Sequence, residues 1–218
     1  MKKTILILFL ALFTHAAYTQ TTNAKAERFM LQGQQALQWG YLEKASEYFR
    51  QATLADDKYA EAFYYWGVTL GAIAERDEDE KKYKEAFEKY KKATGLNPEM
   101  ASAYNDWGCA LMQLGKTSDR VKQYAPEAEK HLKKAEKLGQ QTAAYNLACL
   151  YSLLNNKPKA IGWLNTMMKK DYQDKFTNIS RDIFDKDEDF DNIRQSNEFI
   201  QFLNINFPDD LPDNFQAI

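Results

Sequence analysis

AERFMLQGQQALQWGYLEKASEYFRQATLADDKY, residues 26–59, holds two sets of small or apolar residues at helical spacing. Counting from Ala26, Phe29, Gly33 and Ala36 stand fourth, eighth and eleventh, while Ala45, Phe49 and Ala52 stand twentieth, twenty-fourth and twenty-seventh. Steps of three and four residues place each set on one stripe of a helix. The small residues at the eighth and twentieth positions predict two antiparallel helices in close approach. Trp39-Gly40-Tyr41 supplies the turn between them, with Gly40 as the left-handed cap.

The pattern recurs down the chain. AFYYWGVTLGAIA at 62–74 and AYNDWGCALMQLG at 103–115 share their aromatic, Trp-Gly and Leu spacing at an offset of 41 residues. A second repeat starts at Ala60 with Phe63, Trp66, Gly67 and Leu70, and resumes at Ala86, Tyr90, Ala93 and Pro98 after seven extra residues around AERDEDEKK. A third starts at Ala101 with Tyr104, Trp107, Gly108 and Leu111, and resumes at Ala128, Leu132 and Ala135 after eight extra residues within KTSDRVKQYAP. In the fourth, Leu147, Ala148 and Tyr151 lead to Ala160, Leu164 and Met167 with no excess. The offset of 41 is one 34-residue period plus an insertion of seven.

This pattern resembles the tetratricopeptide repeat, a 34-residue helix-turn-helix unit with W at 4, L-G at 7 and 8, Y at 11, A at 20, F at 24, A at 27 and P at 32. The resemblance covers about residues 26–174. Only Pro98 stands at the closing proline position, Asp57 replaces it in the first repeat, and Trp66 and Trp107 stand seventh rather than fourth. HEAT-type repeats, with longer periods, are the rival, and the undistorted spacing of the first and fourth repeats favours the tetratricopeptide reading. The resemblance implies an all-α, right-handed superhelix of about four helix pairs over 24–174, in repeats of about 26–59, 60–100, 101–140 and 141–174, plus a C-terminal capping helix.

A cap is what an array requires, since an end repeat otherwise exposes its apolar face. The stretch 175–205 is read as an acidic loop followed by that cap. A helix is predicted from Phe190 or Asp191 to Leu203, with Asp189 as N-cap and Ile193, Phe199, Ile200 and Leu203 inward. Residues 206–218 have no periodicity and form a tail.

The first twenty residues place Lys2 and Lys3 before an apolar run from Ile5 to Phe13 and then small and polar residues. That is the pattern of a secretory signal peptide, with cleavage between Ala16 and Gln20. The run is too short to span a bilayer, which needs about 20 apolar residues. Together with the end repeat, the leader predicts an exported protein, periplasmic or secreted, of a bacterial envelope, without stable membrane insertion after cleavage. Cys109 and Cys149 hold equivalent positions in neighbouring repeats, and interaxial distances of about 8–10 Å predict two buried thiols, a bridge being the alternative.

From Asp182 to Asp213, ten acidic residues face two basic ones, whereas residues 21–181 carry a net charge of +4. A mildly basic body with an acidic end is not the stripe that nucleic acid demands. Lysine-rich EKKYKEAFEKYKK and EKHLKKAEK interleave glutamates at helical spacing, the mark of solvated faces. His131, beyond the leader the chain's one histidine, is read on such a face. Histidine is thus too scarce for a metal site or a catalytic relay, and no glycine-rich phosphate loop occurs. DKDEDFDNIRQS at 185–196 resembles a calcium loop in its alternating acids, but Phe190 and Ser196 stand where glycine and glutamate are needed. No cofactor, metal or catalytic residue is predicted.

What remains is a binding wall. Residues second, fifth, ninth and twelfth in each first helix line the concave side of such arrays, and among them the candidates for peptide contact are Met30, Gln34, Tyr64, Val68, Asn105, Cys109, Met112, Tyr145 and Cys149. Lacking lysine and arginine, this wall does not match the carboxylate-clamp members of the family. The expected function is a non-catalytic adaptor that binds another protein, a peptide segment, or its own tail through Phe207, Leu211 and Phe215. The alternatives are a structural subunit of a homo-oligomer and an enzyme.

Overall fold

The computed structural model describes residues 24–117, 119–169 and 180–208, and the regular structure among them is helical throughout. The leader, residues 175–179 of the acidic loop, and Leu211 and Phe215 of the tail lie outside the described residues. Two compact bodies result, one ending at Glu99 and the other beginning at Met100. The N-terminal body holds α1 (24–38), α2 (Leu42–Ala55), α3 (Ala60–Asp77) and α4 (Glu80–Leu96). The C-terminal body holds α5 (Ala101–Thr117), α6 (Val121–Lys137), α7 (Ala143–Leu153), α8 (Lys157–Met167), α9 (Arg181–Lys186), a 3-10 turn at Glu188–Phe190 and α10 (Asn197–Asn206). Among the described residues no helix is long and apolar enough to cross a membrane.

Each helix pair closes on a small residue set against a large one. A Cβ on Gly33 would lie 2.5 Å from the Phe49 ring, one on Gly67 would lie 3.0 Å from Tyr90, and one on Gly108 would lie 2.6 Å from Leu132. These are the eighth and twenty-fourth positions of successive repeats, so the missing side chain is what lets the helices touch. The twentieth position is alanine in all four repeats, and Ala45, Ala86, Ala128 and Ala160 have no exposed surface.

Every pair also turns the same way. A main-chain N–H five residues on bonds back to a helical carbonyl: Tyr41 to Ala36 (2.8 Å), Asp79 to Ala74 (2.9 Å), Arg120 to Gly115 (2.7 Å) and Asn156 to Tyr151 (2.8 Å). This is the Schellman closure, with a left-handed residue just before the donor. That residue is Gly40, Glu78, Asp119 or Asn155, with φ between 52° and 75°.

The extra residues of the second and third repeats are not inserted loops, which corrects the sequence reading. Their closures leave from Ala74 and Gly115, one helical turn later than those from Ala36 and Tyr151. The rest of each excess lengthens α4 and α6. An antiparallel pair keeps its register only if both helices grow together, and two turns take about seven residues. The charged stretch around residues 75–82 is therefore helix on both sides of the Glu78-Asp79 turn, with Asp79 capping α4 through the N–H groups of Lys81 (2.8 Å) and Lys82 (3.3 Å).

The cap differs from expectation as well. The last helix begins at Asn197, and Ser196, not Asp189, is its N-cap, accepting from the Phe199 N–H at 3.3 Å. Arg194 holds the chain before it in turns, donating to the carbonyls of Phe184 (2.8 Å), Asp185 and Asp187 (2.7 Å). Ile193, Phe199 and Leu203 are buried as predicted, while Ile200 is only half-buried and Phe202 takes its place. Phe207, at the start of the predicted tail, is buried with its ring 5.4 Å from that of Phe184.

Candidate functional site

The wall positions fare differently in the two bodies. In the N-terminal body, Gln34 is exposed and Tyr64 and Val68 are half-buried, but Met30 is 5% exposed and belongs to the core with Phe49 and Ala62. Met30 is thus a packing residue, and the correction follows from α1 carrying its apolar stripe one residue wider than the repeat pattern requires. Tyr64 lies on its own repeat, its ring 4.9 Å from Tyr65 and 6.5 Å from Tyr90.

In the C-terminal body, Met112 is buried in the core, Cys109 is a half-buried thiol, and Asn105, Tyr145 and Cys149 are engaged by polar partners. Asn105 is 6% exposed, and its Oδ1 accepts from Asn146 Nδ2 (2.9 Å) and from the Thr142 hydroxyl (3.4 Å), tying α5 to α7. Tyr145 donates its hydroxyl proton to Asp187 Oδ2, and Cys149 Sγ lies 4.0 Å from the same oxygen. Lys116, at the end of α5, donates to Asp189 Oδ1 at 2.5 Å. The Tyr145 ring stands edge-on to Phe190 at 5.6 Å and 6.1 Å from Phe184. Asn192 donates to the carbonyls of Ser152 and Leu153, both at 3.3 Å, at the end of α7. The acidic segment 184–194 therefore lies along α7 and reaches α5. In the C-terminal body the chain covers its own wall through this segment, and Phe207, the one predicted tail residue among the described residues, packs on its Phe184.

Burial governs the electrostatics here. It pushes the Cys109 thiol up to about 12, with Asp106 and Asp189 adding to the effect. Burial first, then Asp187 and Asp189, raise the Cys149 thiol well above the usual range. Burial also raises the Tyr145 hydroxyl, with Cys149 and Asp187 pushing the same way. Both cysteines are free thiols, Cys149 buried and Cys109 half-buried, and neither has the thiolate character a nucleophile needs. Burial is the largest single influence on the Lys116 ammonium and opposes it, but the bond to Asp189 together with the charges of Asp189, Asp187 and Glu188 outweighs it and the pKa is raised.

Cys149, Asp187 and Asp189 bring a thiol and two carboxylates within 4.8 Å of one another, a grouping that spacing alone could suggest for a cation. The ammonium of Lys116 already sits on Asp189, and the Tyr145 hydroxyl on Asp187. The cluster is an internal ion pair and hydrogen-bond network. Sequence reasoning placed Asn105, Tyr145 and Cys149 on one face but missed Lys116, Asp187 and Asp189. The usable signal was the i, i+2 pair of acids just ahead of the apolar Phe190.

His131 also departs from the sequence reading. It is 6% exposed, not solvated, and its ring lies flat on the Trp107 indole with centroids 3.8 Å apart and planes 19° apart. In the second repeat the equivalent residue is Lys89, whose ammonium lies 4.1 Å over Trp66. The twenty-third position thus covers the tryptophan at the seventh in both repeats.

No protein-family profile and no curated protein matches the chain. Among solved structures it is similar to PilF of Pseudomonas aeruginosa at 20% identity, over 68% of this chain and 62% of that one, with a TM-score of 0.55. The chain spans less than two thirds of that protein's length. It is similar to TTC0263, a thermophilic tetratricopeptide-repeat protein of Thermus thermophilus, at 18% identity over 83% of this chain and 87% of that one, TM-score 0.59. YrrB, a tetratricopeptide-repeat protein with an unusual peptide-binding site, is similar at 18% identity over 91% and 93%, TM-score 0.56. Likeness at these identities speaks to fold, and together with the repeated glycine-to-aromatic contacts and shared closures it gives this chain the tetratricopeptide-repeat fold.

Proposed function

We propose that this chain is an exported, non-catalytic scaffold that binds a protein or peptide segment on the wall of its N-terminal body, around Gln34, Tyr64 and Val68. The observation that carries the reading is the contrast between the two walls. In the C-terminal body the equivalent residues Tyr145 and Cys149, with Lys116 at the end of α5, already hold a peptide segment, the chain's own Asp187 to Phe190, through a hydroxyl, an ammonium and aromatic edges. The same surface geometry in the N-terminal body offers Gln34 exposed and Tyr64 and Val68 half-exposed. An adaptable mix of aromatic, amide and aliphatic groups suits an extended or helical ligand. Peptide binding by the similar protein YrrB agrees with this class of partner.

Export is supported by the basic and then apolar pattern of the first twenty residues. Absence of catalysis is supported by thiols held in their protonated form and by His131 being locked in an aromatic stack. Site-resolved photocrosslinking tests the binding claim. A crosslinker at Gln34 or Val68 should give a discrete adduct that Tyr64→Ala abolishes without changing helicity, while one at Asn105 should give none. Equal adducts from both bodies would remove the assignment. Fractionation of cells expressing the full chain, with N-terminal sequencing, tests export: the chain should leave the cytoplasm and begin after Ala16 to Gln20.

A further inference from the structure

Among the buried polar groups, His131 is the one whose charge state the fold does not accommodate. Its ring is sandwiched on α5, against Trp107 at 3.8 Å and facing Tyr104 at 6.0 Å. Its Nε2 is buried and has no hydrogen-bond partner among the described residues. The nearest carboxylate is Glu127 Oε1 at 3.7 Å, one turn back on α6 and itself more than half exposed. Lys130 on the same helix opposes a second positive charge, and Lys134 lies over the Tyr104 ring at 5.8 Å. The other helix packed on α6, α7, turns its titratable Tyr151 toward Glu129 and Lys159 instead.

We infer that His131 makes the α5–α6 hairpin acid-sensitive: the hairpin folds around a neutral imidazole, and proton uptake by that ring loosens it. A neutral imidazole carries one N–H donor and no charge, and it stacks on indole as an aromatic ring. The imidazolium carries two N–H donors and a charge, and at this site it would have only the solvent-exposed Glu127 carboxylate, 3.7 Å from Nε2, to answer them. Burial accordingly holds the His131 pKa below its ordinary value, against a smaller upward pull from Glu127.

The direction of the effect follows. With the folded pKa below the unfolded one of about 6.5, the stabilisation is complete above that pH and is lost as pH falls toward the folded value. The ratio of folded to unfolded chain drops about tenfold for each pH unit in that window. The hairpin concerned carries Asn105 and Lys116, the α5 groups that tie α7 and the acidic segment in place. Acidification therefore reaches the covered wall through its support.

Thermal melts of the full chain at pH 7.5 and 5.5 test the inference, comparing wild type with His131→Gln and His131→Phe. The wild-type Tm should fall by about 2–4 °C more than that of either variant, which removes the titrating ring. Parallel Tm losses in all three would overturn it. Should neither variant fold, the imidazole carbon resonances of the wild type decide alone. Of the chain's two histidines, the His131 signal should titrate below the ordinary value of about 6.5, and titration at or above that value would overturn the inference.

Discussion

Tyr64 and Tyr145 occupy the same place in their repeats, fifth from the start, yet they do different work. Tyr64 packs on rings of its own repeat, Tyr65 and Tyr90. Tyr145 spends its ring on Phe184 and Phe190 and its hydroxyl on Asp187. The ninth position shows the same contrast, exposed at Gln34 and buried at Cys149. A repeat fold thus supplies a stripe of equivalent positions without deciding their use. In the C-terminal body that stripe has become part of the cap, and in the N-terminal body Gln34 stays exposed and Tyr64 and Val68 half-buried, while Met30 joins the core.

The most damaging way to break this contrast is to empty the cap. Phe190→Ala removes a fully buried ring and should cost about 3–5 kcal/mol, read as a shift in the urea midpoint of the C-terminal body. Overpacking the repeats themselves should act alike in both bodies. Gly33→Ala and Gly108→Ala force a Cβ to within 2.5 and 2.6 Å of Phe49 and Leu132, and each should cost about 1–3 kcal/mol. Gly95→Ala, with no heavy atom within 4 Å, should instead stabilise α4 by about 0.5–1 kcal/mol. If all three glycine changes behaved alike, close approach would not be what the glycines serve.

Smaller effects sharpen the chemistry of the covered wall. Asp187→Asn and Tyr145→Phe each weaken one charged hydrogen bond and should cost about 1.5–3 kcal/mol. Because they share that bond, the double variant should lose clearly less than the sum of the two, measured by denaturant titration. At the turns, Glu78→Gly relieves a left-handed φ of 52° and, like Gly95→Ala, should raise stability by up to about 1 kcal/mol, read by the same denaturant titration.

The helix pairs were legible because packing constrains sequence where helices touch: glycine and alanine at the eighth and twentieth positions leave a mark that solvent cannot erase. The turns were half legible. Gly40 announced its left-handed conformation, while Glu78, Asp119 and Asn155 adopt the same one without a glycine to betray it. Charged ends of long helices look like loops because both are solvated, which is why the one-turn extensions of α3 to α6 read as insertions. His131 misled because it stands among lysines and glutamates. Its repeat-mate Lys89, over Trp66, shows that the position covers a ring and not open solvent. The Lys116–Asp189 pair joins residues 73 apart in sequence, and no local pattern records such a contact.

Thiol labelling under reducing conditions, read by mass spectrometry, tests the covered wall most directly. In the native chain Cys149 should resist alkylation for as long as the fold persists, and Phe190→Ala should expose it while leaving the N-terminal helix pairs intact by hydrogen exchange. Cys149 reacting at the rate of an unfolded control in the native wild type would contradict the account, because the acidic segment would then not be covering the wall.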